Sequence, residues 1–196
     1  MNKKDPAIIL SAGRSKRLGE PKALVQVLGK TLLEHSIMKL KKAGCEPIIV
    51  VVNHDLQFDA LLVSCGATIV VNKNPENGRT GSLKVGINSL LTEWGRMPNR
   101  VIMCPVDRPG WKASHITKLL EQQKSSCLTD GVINGHPVSL VTDDLHNILS
   151  ANDDESLKQI VNFDAVSISN SLLSLNIDTD EDKLKLVENA DFFIEL

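Results

Sequence analysis

Runs of isoleucine and valine recur along the chain without polar alternation: AIIL at 7–10, PIIVVV at 47–52, ATIVV at 67–71 and RVIMCPV at 100–106. Strands covered on both faces read this way, as in a parallel sheet sandwiched by helices. Helical patterns fall between them. Thr31 is placed to cap a helix, Glu34 completes a capping box three residues on, and Gly44 suits the left-handed position after the last turn. Leu32, Leu33, Ser36, Ile37 and Leu40 share one face, which leaves Lys39, Lys41 and Lys42 for water. Further helices are expected from about Thr80 to Leu91 and from about Ser114 to Lys124. The alternation predicts a three-layer α/β/α fold with a mostly parallel, Rossmann-like sheet.

After residue 125 the pattern changes. Asp130-Gly131 and Asn134-Gly135 break CLTDGVINGHPVSLV into short pieces, which predicts a small antiparallel excursion. A helix is expected from about Asp154 to Val161, then a strand at LLSLNI (172–177) and a last helix from about Asp180 to Glu188. No repeat or linker divides the 196 residues, so one domain over 1–196 is expected.

Composition narrows the partners. A net charge of −2 suggests no general attraction to nucleic acid or to an anionic membrane surface. Aromatic residues make up only 3% and tyrosine is absent, which removes the stacking platforms of a single-strand binder. No apolar stretch is long enough for a membrane span, and the opening MNKKDP leads into no signal-peptide pattern, so a cytoplasmic location is expected. Cys45, Cys65, Cys104 and Cys127 are widely spaced, with no metal-ligand pattern; buried, reduced thiols are the expectation.

The chemistry concentrates in LSAGRSKRLGEPK at 10–22. A P-loop is excluded, because LGKT at 28–31 has Leu24 where the earlier glycine is required, and G-x-G-x-x-G is absent. Instead Gly13 and Gly19 bracket Arg14, Lys16 and Arg17, with Lys22 just beyond, at the C-terminal end of the first strand. Glycine lets backbone N–H groups approach a phosphate, Arg17 offers a planar fork and Lys22 a point charge. Residue types alone leave a phosphate cradle and an ordinary solvated loop equally open.

The motif L-x-A-G-x-S-x-R-x-G-x-x-K, present as Leu10, Ala12, Gly13, Ser15, Arg17, Gly19 and Lys22, resembles the opening of the MobA-like nucleotidyltransferases. Four further segments are similar to that family in order: NPENGRTGSLKVGI (74–87), PVDRP (105–109), GHP (135–137) and NIDTDED (176–182). The resemblance implies a GT-A-like fold and Mg2+-dependent transfer of a nucleoside monophosphate from a triphosphate to a phosphorylated small-molecule acceptor, with release of pyrophosphate. By the same resemblance Leu10, Ser11, Ala12, Gly13, Ser15, Gly81 and Ser82 bind the nucleotide. Arg17, Lys22 and Asp107 act in catalysis, Asp107 and Asp178 hold the metal, and Gly135, His136 and Pro137 face the acceptor.

Spacing alone would also allow Asp107 and Asp178 to be helix caps, and Asp180 and Asp182 compete with Asp178. LSAG and GRTGSL are closer to the molybdenum cofactor cytidylyltransferases than to their guanylyl counterparts, which favours CTP. The stretch ANDDESLKQIV (151–161) lacks the glycines and arginine of a molybdopterin-type segment, so a sugar phosphate or another small phosphate is the alternative acceptor. A nucleotide-binding regulatory protein of the same fold is the alternative from another class; retention of Arg17, Lys22, Asp107 and Asp178 favours an enzyme. An acceptor phosphate is already ionised, so His136 is not needed as a base.

Overall fold

The structure, a computed structural model, describes residues 4–15 and 17–194. In chain order the elements are β1 (Ala7–Ser11), β2 (Gln26–Val27), β3 (Lys30–Thr31), α1 (Leu32–Lys42), β4 (Ile48–Val52), α2 (Gln57–Leu62), β5 (Thr68–Val71), α3 (Gly78–Trp94), β6 (Arg100–Pro105), α4 (Ala113–Leu120), β7 (Ser126–Thr129), β8 (Asn134–Val141), α5 (Thr142–Ser150), α6 (Leu157–Ile160), β9 (Asp164–Ser167) and α7 (Asp180–Glu188).

Seven strands form one sheet in the order β5-β4-β1-β6-β8-β7-β9, and only β8 runs against its neighbours. This is the expected mostly parallel α/β/α arrangement with an antiparallel insertion. Alternate residues of β1 serve opposite layers: Ala7 and Ile9 join the core beneath α1 and α4, while Ile8 and Leu10 join the one beneath α3 and α5. The second layer is tight. A Cβ on Gly86 of α3 would lie 2.8 Å from Ile8 Cγ2 and 3.2 Å from Val51 Cγ2, so the helix sits close enough that only glycine fits. No helix of the described residues is long and apolar enough to cross a membrane.

The capping box of α1 is formed: Thr31 Oγ1 accepts from Glu34 N at 3.1 Å and Glu34 Oε2 accepts from Thr31 N at 2.7 Å. Its polar face departs from expectation. Lys39 is 1% exposed, because the Pro109–Trp111 loop and the C-terminal aromatics close over its side of the helix.

Other boundaries also differ. α4 stops at Leu120, and the helix expected over 154–161 is reduced to the single turn of α6. The 172–177 segment is irregular, with its backbone bonds made locally and to Asp107, and the extra strand is β9, upstream of it. Asp130-Gly131 does turn the chain: Gly131 has φ +93° and Asp130 Oδ1 accepts from Val132 N and Ile133 N, both at 2.9 Å. Asn134-Gly135, by contrast, opens β8. The run 67–71 is only half covered because β5 is the sheet's edge. Cys45, Cys104 and Cys127 are buried thiols, whereas Cys65 is exposed in a turn at φ +47°.

Candidate functional site

Because β1, β4 and β6 run parallel, their C-terminal ends deliver the residues that follow them to one edge of the sheet. The loop after β1 carries residues 12–22, Asn53 follows β4, and Asp107 follows β6. A cavity of about 340 Å³ opens there, lined by Leu10, Ser11, Ala12, Gly13, Ser15, Arg17, Lys22, Ser82, Asp107 and Asp178. The candidate nucleotide, catalytic and metal residues thus share one wall system, with one exception. Gly81 faces away from the cavity: its N–H donates to Asp153 O at 3.1 Å, and a Cβ there would meet Asn77 Cβ at 2.9 Å. Its role in the structure is to let α3 pack against the 151–155 segment.

The loop is braced from below. Asn53 Nδ2 donates to the carbonyls of Ala12 and Gly13 at 3.2 and 3.3 Å, while its Oδ1 accepts from Leu56 N at 2.9 Å. Ser15 sits at φ +47°, a conformation that costs a non-glycine residue, and its Oγ accepts from Lys22 N at 3.1 Å. Among the described residues no backbone carbonyl accepts from the N–H groups of Gly13, Arg14 or Ser15. Donors left free at a loop held in this shape are suited to anionic oxygens. Nothing lies within 4 Å of a Cβ placed on Gly13, so that position opens into free space beside the loop. Lys16 lies outside the described residues.

Opposite the loop, one ammonium joins the two candidate metal carboxylates. Lys22 Nζ donates to Asp107 Oδ2 at 3.0 Å and also to Asp178 Oδ1. Arg17 Nη2 lies 3.1 Å from the same Asp178 oxygen. The Lys22 bond, followed by the charges of Lys22 and Arg17 and the Asn176 amide, holds Asp178 below the usual carboxylate range despite some desolvation. Asp178 reaches this place through the backbone: Ile177 N donates to Asp107 O at 2.9 Å. Its competitors are occupied elsewhere. Asp182 caps α7 through Thr179, and Asp180 pairs with Lys183 at 2.6 Å.

Asp107 Oδ1 is buried with no hydrogen-bond partner among the described residues. That unused oxygen, with a second carboxylate on the same lysine, is a hard-donor set suited to a divalent cation completed by phosphate and water oxygens. No group of three or more His, Cys, Asp or Glu among the described residues could hold a metal by itself.

A second cavity, about 540 Å³, adjoins the first and contains Gly135 and His136 of β8. Pro137 is buried behind them, reached by a cis peptide bond. Gly135 lies against Leu173, whose Cγ would be 2.8 Å from a Cβ at that position. Burial, and after it the charges of Arg79, Arg108 and Lys158, push the His136 imidazole down to about 3, so it is neutral and an ineffective base.

The stretch 151–155 is stapled to α3: Asp153 takes Lys84 at 2.7 Å and Asn77 at 2.8 Å. Sequence reasoning missed Asn53, Asn72 and Arg79. Asn72 Nδ2 donates to Ser82 Oγ at 3.1 Å, and Ser82 in turn donates to Gly78 O. An asparagine directly after each of the strands β4 and β5 was the available signal.

A family model described as a MobA-like NTP transferase domain matches residues 7–168. Nicotine blue oxidoreductase of Paenarthrobacter nicotinovorans is 30% identical over 115 residues, covering 58% of this chain and 54% of that one. A probable molybdenum cofactor guanylyltransferase of Bacillus mycoides (strain KBAB4) is 31% identical over 116 residues, covering 59% and 54%. The chain spans about half the length of the curated relatives it matches. Among solved structures, a nucleotidyl transferase from Methanothermobacter thermautotroptrophicus superposes with a TM-score of 0.80 at 21% identity, covering 96% and 98% of the two chains.

Proposed function

The chain belongs to the MobA-like NTP transferase domain family, and from that premise we propose that it moves a nucleoside monophosphate from a triphosphate, CTP by preference, to a phosphorylated small-molecule acceptor. The observation that carries this reading is the single cavity in which the free N–H groups after β1, the cations Arg17 and Lys22, and the carboxylates Asp107 and Asp178 meet.

In the reaction an oxygen of the acceptor phosphate attacks the α-phosphorus and forms a new P–O bond. The bond from that phosphorus to the α–β bridging oxygen breaks, and its electron pair leaves with pyrophosphate. The barrier lies in bringing anions together, so positioning and charge neutralisation are the protein's task. The loop N–H groups, Arg17 and Lys22 orient the triphosphate and offset its charge. Asp107 and Asp178 are the residues that would hold Mg2+, which when bound supplies further positive charge to the phosphate oxygens. His136, whose imidazole burial pushes down to about 3, takes no proton in this scheme.

Preference for CTP rests on LSAG at 10–13 and GRTGSL at 78–83, against a relative named as a guanylyltransferase. The test is thermal unfolding with CTP, GTP, ATP and UTP, with and without magnesium, on the wild type and Lys22→Ala. A ligand at 100 times its Kd adds about 2.7 kcal/mol, which raises the midpoint of a chain this size by roughly 5–10 °C. The expected result is a magnesium-dependent shift with CTP that Lys22→Ala diminishes, followed by pyrophosphate release in an acceptor screen. No shift with any triphosphate would refute the reading, binding without turnover would support a regulatory protein, and hydride transfer from a nicotinamide cofactor would replace it.

A further inference from the structure

The turn that carries Asp107 is fastened from two sides. Within it, Arg108 N donates to Pro105 O at 3.3 Å and Trp111 N to Pro109 O at 2.8 Å. From α1, Lys39 Nζ donates to Pro109 O at 3.0 Å, two residues beyond the carboxylate. From the segment after β9, Asn170 Nδ2 donates to the next carbonyl, Gly110 O, while Asn170 Oδ1 accepts from Leu172 N at 3.0 Å. The fit on that side is close: a Cβ on Gly110 would lie 1.8 Å from Leu172 O.

An amine is a costly choice for the first of these fasteners. Lys39 is buried among Trp111, Phe192 and Phe193, whose ring centres lie 4.5 to 5.5 Å from its Nζ. Burying it costs free energy that an apolar side chain of similar length would not. What the amine supplies, and methionine cannot, is a donor for a carbonyl of the turn. Neither Lys39 nor Asn170 lines the cavity that contains Asp107, so both act on that carboxylate through the backbone.

We propose that Lys39 and Asn170 are positioning residues: by holding the carbonyls of Pro109 and Gly110 they set where the Asp107 carboxylate stands relative to Asp178, and with it the affinity of the pair for a divalent cation. This rests on the nucleotidyl-transfer reading, in which those two carboxylates hold the metal. Asp107 and Asp178 belong to segments far apart in the chain, and their spacing depends on how each segment is anchored. A small hard cation demands oxygens at closely defined distances, so a turn free to drift loses affinity.

The test measures Mn2+ binding to the full chain without nucleotide, by electron paramagnetic resonance. The proteins are the wild type, Lys39→Met, Asn170→Ala, Phe193→Leu and Lys42→Met. Methionine fills the space of the lysine and Asn170 is only partly buried, so both positioning variants should fold. Phe193→Leu takes a ring away from the Lys39 amine but leaves the Pro109 bond, and Lys42 is exposed on the same helix. Lys39→Met and Asn170→Ala should each raise the Mn2+ Kd about tenfold, the scale of losing a group that orients a metal ligand. Phe193→Leu and Lys42→Met should leave it unchanged. Because Kd is read on folded molecules, a loss of stability alone would not move it. Unchanged or tighter binding in Lys39→Met or in Asn170→Ala removes that residue from the role. An equal loss in Phe193→Leu would assign the effect to packing and overturn the proposal, as would a wild type that binds no Mn2+. Pyrophosphate release from CTP, with magnesium varied, is measured separately on the wild type. If none occurs while the Mn2+ pattern holds, the nucleotidyl-transfer reading falls and the positioning of Asp107 stands.

Discussion

Lys39→Met tests the most unusual feature of the core. Lys39 is 1% exposed, has no carboxylate partner among the described residues, and donates to Pro109 O at 3.0 Å. Its Nζ lies 4.5 Å from the ring centre of Phe193 and 5.1 Å from that of Trp111. Burial is the main cause that brings its ammonium down from 10.5 to about 7; Cys104 opposes the drop and Lys112 adds to it. The sign follows from proton counting. Between pH 7 and 10.5 the unfolded chain holds a proton that the folded one has released, so stability rises with pH across that window. Below pH 7 both states are charged and folding carries the whole cost of burying the ion, about 5 kcal/mol at about 1.4 kcal/mol per pH unit of displacement.

Methionine fills the same space without the charge, although it forfeits the Pro109 bond and the ring contacts, each worth about 1–2 kcal/mol. The decisive quantity is therefore the pH dependence of the difference between the two proteins, in which unaltered groups cancel. Urea unfolding at pH 7, 8 and 9 should show the variant's stability relative to wild type falling by about 2 kcal/mol over that range. Profiles that stay parallel would mean that the ammonium remains charged and solvated in the folded state, and the burial argument would fail.

Asp107→Ala should abolish metal-dependent pyrophosphate release while leaving the chain folded; full activity at limiting magnesium would remove Asp107 from the metal site. Gly86→Ala gains about 1 kcal/mol of helix propensity but drives a Cβ into Ile8 and Val51, and overpacking of about 1–3 kcal/mol should lower the thermal midpoint. An unchanged or raised midpoint would show that α3 can shift away. Lys22→Ala should weaken CTP yet strengthen Mn2+ binding in the absence of nucleotide, as read by electron paramagnetic resonance, because the ammonium that competes for Asp107 and Asp178 is gone. Weaker Mn2+ binding in the variant would contradict that competition.

How much of this was legible beforehand varied with the range of the forces involved. The buried strands of the parallel half and the capped helix α1 depend on local hydrophobic pattern and one box of side chains, and both were read correctly. Lys39 was not, since its helix position is solvent-facing until distant segments, the 109–111 loop and Phe192-Phe193, cover it. The LLSLNI run misled for a related reason. Leu173, Leu175 and Ile177 are buried, which gives the alternation of a strand, but they pack down onto the sheet's end while the backbone bonds locally and to Asp107.

At the site, the family resemblance pointed to the loop after β1 and the two carboxylates, which residue types and spacing left open, while their meeting in one cavity came from topology. Parallel β1, β4 and β6 bring residues 13, 53 and 107 to one edge, and a single backbone bond from Ile177 to Asp107 draws Asp178 in from the far end of the chain. Two carboxylates brought so close repel, and the lysine between them offsets that repulsion. Under the proposed function, Lys22 occupies the carboxylates that a metal ion would take, so a bare ion has to displace it. On that proposal charge balance favours nucleotide and metal arriving together, since the phosphates would supply the anions that Lys22 and Arg17 exchange for Asp107 and Asp178.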